Sequence, residues 1–409
     1  MNAPGGHPLP RGVSGKLAPF GTTIFTTMTK LAQEHGAVNL SQGFPDFDGP
    51  EFIKQAARDA IDHQPNQYAP MPGLPSLRQA IAKRFTRDTA LPCDPDTQVV
   101  VTAGCTEGIA AALIGLCNRG DEVILFEPFY DSYRAAVAMA GASARFVALT
   151  PTIEEVGGKR VVTSFAFNAA QLRAAFGPRT RAVLVNTPHN PTGKVFSREE
   201  LTLIAELCVE HNAVAIVDEV YERLLFDPSQ PHVSIASLPG MAERTVTLSS
   251  LGKTFSFTGW KIGWSVASPA LTAAVRAAHQ FITFAVATPL QHAAAAALAR
   301  EEEAVGGLVP MLRANRDKLA TALSDLGFAV HVPAGTYFIC ADHTAVAPRL
   351  GASDDQSFCM ALIKQCGVAA IPPSVFYNTP ALGHSLVRFA FCKKPETIDE
   401  GIARLRSLR

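Results

Sequence analysis

The sequence predicts an α/β fold: one large, mainly parallel sheet covered by helices on both faces, joined to a smaller α+β part. Two observations carry this. Short apolar, β-branched runs recur over the first 250 residues, each reading as a strand buried on both faces, with helical patterns between them. After about residue 290 the texture changes to long helical segments followed by weaker strands. At 409 residues the chain exceeds one ordinary core, and its 47% hydrophobic and 18% charged content can fill large buried cores. The expected division is a large unit over 50–290 and a smaller one built from 1–49 and 291–409.

In chain order, the strand candidates are Gln98–Thr102, Glu122–Phe126, Ala182–Asn186, Val214–Asp218 and Thr245–Ser249. Helical patterns cover Glu107–Cys117, Ser132–Ala140 and Arg198–His211. The last opens with Ser197-Arg-Glu-Glu200, a capping box that fixes a helix start. Beyond these come helical segments over 285–325, strands near Ala329–Val332, Thr336–Ala341 and Ser385–Phe391, and a final helix near 395–408.

Composition excludes several classes of function. Lys plus Arg is 36 and Asp plus Glu is 36, a formal net charge of zero with no basic run, so no nucleic-acid partner is expected. The eight cysteines never fall in a metal-binding spacing, which favours buried packing, a reducing cytoplasm and no metal. The N-terminal MNAPGGHPLPRGVSGK lacks a signal-peptide apolar core, and the alanine-rich stretch 285–299 is too short to span a bilayer. A cytoplasmic protein without membrane contact is expected.

Ligands of open α/β sheets bind beyond the carboxyl ends of the strands, so the residues there are the candidates. After the first strand comes Ala103-Gly-Cys-Thr-Glu-Gly108, a small-residue turn opening a helix. Its free N–H groups and positive dipole end suit a phosphate, although many strand-to-helix turns look alike. Asn186-Thr-Pro-His-Asn-Pro-Thr-Gly193 makes a rigid turn around Asn190, which turn chemistry alone largely explains. Asp218-Glu-Val-Tyr221 offers either an ordinary helix N-cap or a carboxylate for a buried cation such as a protonated ring nitrogen. The last of the five strands leads into Ser250-Leu-Gly-Lys-Thr-Phe-Ser-Phe-Thr-Gly-Trp-Lys261. Lys253 there has no carboxylate neighbour. In an apolar pocket beside a second cation, Lys261, its pKa would fall and the amine would attack carbonyls; on a solvated loop it would need no role.

Together these stretches resemble the fold-type I pyridoxal phosphate enzymes, and within them the class I aminotransferases, from Thr22 to beyond Arg388. The resemblance implies that Lys253 holds the cofactor as a Schiff base and later carries the proton between the substrate and the cofactor. It implies that Asp218 pairs with the ring nitrogen and that Asn190 and Tyr221 hydrogen-bond the phenolic oxygen. Phe129, in Glu127-Pro-Phe-Tyr-Asp-Ser-Tyr133, would stack on the ring. The backbone of Gly104, Cys105 and Thr106, with Ser250 and Lys261, would hold the phosphate. Tyr68, in Asn66-Gln-Tyr-Ala-Pro70, would reach the phosphate of a neighbouring subunit, so a homodimer would share its active sites.

For the amino acid and 2-oxo acid substrates, the resemblance implies that the Arg388 guanidinium grips the carboxylate, with Asn190 and the Gly43 N–H beside it. Phe20, Ile24 and Phe25, with Phe284 from the partner, would line the side-chain pocket. Gly21-Thr-Thr-Ile-Phe25, Ser41-Gln-Gly-Phe-Pro-Asp-Phe-Asp-Gly-Pro50 and His279-Gln-Phe-Ile-Thr-Phe284 resemble the methionine aminotransferases, near the kynurenine and glutamine transaminases. The expectation is therefore transamination of large apolar or thioether amino acids. The alternatives are a β-lyase on cysteine S-conjugates, an N-succinyl-diaminopimelate type of aminotransferase with a more polar pocket, and, ranked low, a non-catalytic regulatory module.

Overall fold

The computed structural model describes residues 12–21 and 23–408; Met1–Arg11, Thr22 and Arg409 lie outside them. A seven-stranded sheet runs in the order Val99–Thr102, Gly263–Ala267, Thr245–Ser250, Val214–Asp218, Thr180–Asn186, Glu122–Glu127, Ser143–Ala148. Neighbours are parallel except Gly263–Ala267, which is antiparallel to both of its partners. Strands 99–102, 122–127, 214–218 and 245–250 are buried at every position, which is why their apolar runs do not alternate. The five expected strands are all present. Two strands escape the pattern: 143–148 is half exposed at the sheet edge, and 263–267 follows directly on the lysine loop.

That antiparallel strand positions the site. It starts at the edge where the parallel strands finish, so the loop 251–262 leaves and returns at one side, with Lys261 just ahead of Gly263. The capping box forms as read: the Ser197 hydroxyl accepts from Glu200 N at 3.2 Å, and Glu200 Oε2 accepts from Ser197 N at 2.9 Å.

A second sheet of five strands runs Leu386–Ala390, Phe338–Asp342, Ala329–Val330, Lys159–Ala166, Thr150–Val156. Its last two strands form a hairpin inside the range read as the large unit, and that hairpin joins the smaller sheet through Val161 paired with Val330. The other boundary also moves. Residue 290 lies within the helix Thr288–Ala299, which packs on helices Glu51–His63 and Pro75–Thr89. Its Ala293, Ala294, Ala297 and Leu298 share an apolar cluster with Ile53, Leu77 and Val99, so this helix stays with the large sheet. Among the described residues, no helix is long and apolar enough to cross a membrane.

Candidate active site

At the carboxyl ends of the parallel strands lies a cavity of about 280 Å³. Successive strand-end loops contribute Gly104, Cys105 and Thr106, then Tyr130 and Tyr133, Asn186 and Asn190, Asp218 and Tyr221, and Ser250, Lys253 and Lys261. Phe25, Gln42, Gly43, Phe44, Phe338 and Arg388 close it from the smaller unit and the N-terminal segment.

Asp218 ends its strand buried, where an unpaired charge would be costly. Tyr133 Oη donates to its Oδ2 at 2.7 Å and Val220 N to its Oδ1 at 3.2 Å. Burial pushes the Asp218 carboxyl above its usual range, while the bonds from Tyr133, Val220 and the Cys105 thiol oppose that. Cys105 therefore supplies more than a backbone N–H: its thiol faces the acid, and burial together with Asp218 pushes it well above the ordinary range. Asn186 locks two strand ends together, donating to Asp218 O at 2.9 Å and accepting from Asn190 N at 2.7 Å.

Phe129 is a correction. Its ring is buried in the core, 5.7 Å from that of Phe146, and it does not line the cavity. Its N–H is tied to Phe376 O at 2.8 Å, which turns the side chain inward and leaves the next residue, Tyr130, on the cavity wall.

At the other end, the helix Gly104–Leu116 begins with Gly104 at φ +77°, a conformation that favours glycine. A Cβ there would lie 3.1 Å from Lys261 Nζ, and a Cβ on Gly263 would lie 2.5 Å from the Gly104 carbonyl carbon. Only small residues let the helix start, Lys261 and the antiparallel strand meet so closely. Lys261 itself is at φ +54°. Ser250 Oγ accepts from Gly252 N at 3.3 Å, which leaves its hydroxyl proton free.

Lys253 Nζ donates to Gly43 O at 3.2 Å and lies 5.8 Å and 5.7 Å from the ring centres of Tyr221 and Tyr337. Burial lowers its pKa to about 8; Cys392 and Asp218 oppose the shift, while Lys261 and Arg388 add to it. An amine in that condition is a nucleophile near neutral pH.

Arg388 is 1% exposed. Its Nη1 donates to Asn190 Oδ1 at 3.0 Å and its Nη2 to Ser41 O at 2.8 Å, and it stacks 4.2 Å from the Phe338 ring centre. Burial pulls its pKa down to about 10, and its Nε has no hydrogen-bond partner. A buried guanidinium with an orphaned donor on a cavity wall suits an incoming carboxylate. Phe25 lines the cavity, 5.4 Å from this guanidinium. Phe20 and Ile24 do not: Phe20 lies under Arg134, and Ile24 packs on the smaller unit's core. Tyr68 and Phe284 are likewise outside the cavity of their own chain and meet edge-on at 5.3 Å on the surface.

Tyr130, Tyr133, Asn186 and Tyr337 were not singled out by sequence reasoning. The first three sit inside motifs already singled out, but which aromatic faces the cavity depends on the backbone turn. Tyr337 carries no sequence signal.

The residues present fit pyridoxal phosphate: a helix start with Lys261 beside it for a phosphate, buried Asp218 for a ring nitrogen, and the depressed amine of Lys253 in the same cavity.

Residues 35–405 match the family model for aminotransferase class I and II. The chain is 50% identical over 403 residues to a probable N-succinyldiaminopimelate aminotransferase of Mycobacterium tuberculosis, covering 96% of this chain and 98% of that protein. It is 41% identical over 393 residues to the methionine aminotransferase of Escherichia coli, covering 96% and 97%. A human kynurenine–oxoglutarate transaminase is 39% identical over 395 residues, covering 92% and 93%. The solved structure of the M. tuberculosis N-succinyldiaminopimelate aminotransferase matches with a TM-score of 0.90 at 49% identity, covering 97% of this chain and 100% of that one.

Proposed function

Because the chain belongs to the class I and II aminotransferases, we propose that it transfers the amino group of a long-chain amino acid of the N-succinyl-diaminopimelate type to a 2-oxo acid. The enzyme is a pyridoxal-phosphate-dependent aminotransferase. The relative at 50% identity supports this substrate over the large apolar amino acids that the sequence motifs suggest. The observation that carries it is that 50% identity over nearly the full length of both chains, and the side-chain wall of Phe25, Phe44 and Phe338 is compatible with it. Among the described residues lining the cavity, the cations are Arg388, Lys253 and Lys261, and each already has a task, so a short dicarboxylate such as aspartate finds no second grip. The polymethylene part of a diaminopimelate chain suits apolar walls, with its acylated end at the open mouth. The same aromatic wall favours a second reading, methionine or kynurenine, for which the walls alone suffice.

In this reading Arg388 and Gly43 N–H would bind the substrate carboxylate. Gly104, Cys105, Thr106, Ser250 and Lys261 would hold the cofactor phosphate, and Tyr130 would cover the ring face. Asp218 would hold a proton on the ring nitrogen, with Asn190 and Tyr221 beside the phenolic oxygen. When bound, pyridoxal phosphate supplies the electron sink for negative charge at the substrate Cα. Lys253 would be the amine that bonds the cofactor and, once free, moves the proton at that carbon.

The partner would be a second copy of the chain. Tyr68 is 83% exposed, Phe281 84% and Phe284 47%, exposed aromatics of which Tyr68 and Phe284 touch and which a monomer would leave in water. Burying them in a homodimer would bring Tyr68 and Phe284 to the other subunit's cavity.

Comparing kcat/KM for N-succinyl-L,L-diaminopimelate, methionine, kynurenine and aspartate with one 2-oxo acid tests the substrate. A preference of about tenfold or more for the acylated substrate supports the first reading. A preference for methionine or kynurenine supports the second. Pyruvate and ammonia released from a cysteine conjugate, without amino transfer, would make the enzyme a lyase instead.

A further inference from the structure

We propose that Tyr337 is a positioning residue for this reaction, holding the Gly43 carbonyl as the resting place of the Lys253 amine and as the edge of the substrate site. The inference rests on the reading of Lys253 as the reacting amine. Tyr337 Oη donates to Gly43 O at 2.7 Å, and Lys253 Nζ donates to the same oxygen at 3.2 Å. Two residues earlier, Ser41 O accepts from Arg388 at 2.8 Å. One short segment, 41–43, therefore holds both the lysine and the carboxylate-binding arginine, and Tyr337 pins it.

The pinning is built into the backbone. Thr336, fully buried, sits at φ +65°, a left-handed conformation that β-branched residues rarely adopt. Its N–H is fixed to Leu224 O at 3.0 Å. Such a conformation persists where the surroundings over-determine it, and here it precedes the residue whose hydroxyl bonds the Gly43 carbonyl. The Tyr337 ring meets the Tyr221 ring edge-on at 5.2 Å and 90°. Gly43 touches both neighbouring rings: a Cβ on it would stand 2.5 Å from Phe338 Cζ and 3.5 Å from Tyr337 Cε2.

The two donors take the carbonyl's two lone pairs, and the phenol draws electron density from the shared oxygen, so it weakens the carbonyl's hold on an ammonium. Without the hydroxyl, Gly43 O would hold the protonated lysine better and the segment would lose an anchor.

The test is Tyr337→Phe, which keeps the ring, with melting temperature as the control for folding. In the cofactor-free protein, Lys253 is modified with an amine-reactive reagent across pH and followed by peptide mass. The expected result is a labelling midpoint raised by about half a pH unit or more, because a neutral hydrogen bond is worth a large part of one pKa unit. In the loaded enzyme, KM for amino acids rises about threefold or more. An unmoved midpoint overturns the proposal, whatever happens to KM or melting temperature, because a purely structural role would change only those. Borohydride reduction of the loaded wild type tests the underlying reading separately: label on a residue other than Lys253 sinks that reading, whereas an unmoved Y337F midpoint sinks only this inference.

Discussion

Tyr133, one residue into the helix Ser132–Met139, donates a 2.7 Å hydrogen bond to Asp218 at the end of a strand two places away in the sheet. Burial drives the Asp218 carboxyl toward its neutral form, and this bond is the largest influence opposing it. Tyr133→Phe keeps the edge-on contact with Tyr130 at 5.7 Å and removes only the donor. A hydrogen bond to a charged group is worth roughly 1.5–3 kcal/mol, so cofactor affinity should fall by about tenfold or more with little change in melting temperature. Titration of cofactor-free protein with pyridoxal phosphate measures it; equal affinities would remove the role given to Tyr133.

Lys253 predicts a pH dependence. Its pKa in the folded protein is about 8, below the ordinary 10.5. Above about pH 8 the folded amine is free, whereas in the unfolded chain it stays protonated up to about pH 10.5. The rate of cofactor capture should therefore rise between about pH 6 and about pH 9 and then level off. For this group the unfolded state binds more protons between the two values, so its contribution to stability of the cofactor-free protein increases with pH across that window. Lys253→Met should abolish covalent capture and flatten both profiles; a stopped-flow profile that keeps its slope in the variant would refute the assignment.

Arg388→Lys should raise KM for every α-amino acid by roughly 10- to 100-fold, because a point charge replaces a fork that can offer two parallel bonds. Lysine also forfeits the stacking on Phe338 and the paired bonds to Asn190 and Ser41. Steady-state kinetics over several substrates decides it. Loss confined to one amino acid would mean that Arg388 reads the side chain rather than the carboxylate.

The exposed aromatics Tyr68, Phe281 and Phe284 make a separate prediction. In the proposed homodimer, Phe281→Asp would place a charge in the subunit interface at a cost of several kcal/mol, so the variant is expected to run as a monomer where the wild type runs as a dimer. Sedimentation velocity reads the mass, and cofactor affinity should drop with it. A variant that stays dimeric and fully active would show that this face lies outside the interface.

The loops that carry the chemistry were legible in the sequence because their residues are constrained by local geometry. A small-residue turn opens a helix at Gly104, Asn190 is set in a proline-rich turn, and Lys253 stands without a local carboxylate. That Gly263 must also be small shows only in the close approach of its strand to that helix start. The buried parallel strands were legible because full burial leaves no polar alternation to obscure them. Phe129 shows the limit: two adjacent aromatics satisfy the motif equally, and only the bond from Phe129 N to Phe376 O, some 250 residues away, decides that Tyr130 faces the cavity.

By itself, then, the sequence determined the α/β architecture through its buried parallel strands and placed Asp218 and Lys253 at or just after strand ends. The roles of Lys253, Asp218 and Arg388 came from the resemblance of their motifs to a known family, because each residue alone also had an ordinary reading. Tertiary structure alone decided the rest. It put the hairpin 150–166 in the smaller sheet, joined Tyr133 to Asp218, and set Tyr337 and Lys253 on one carbonyl oxygen. Each of these joins residues tens to hundreds of positions apart, and such pairs are chosen by the packing of whole sheets, where a hydrogen bond to a buried group is worth most and no local pattern records it.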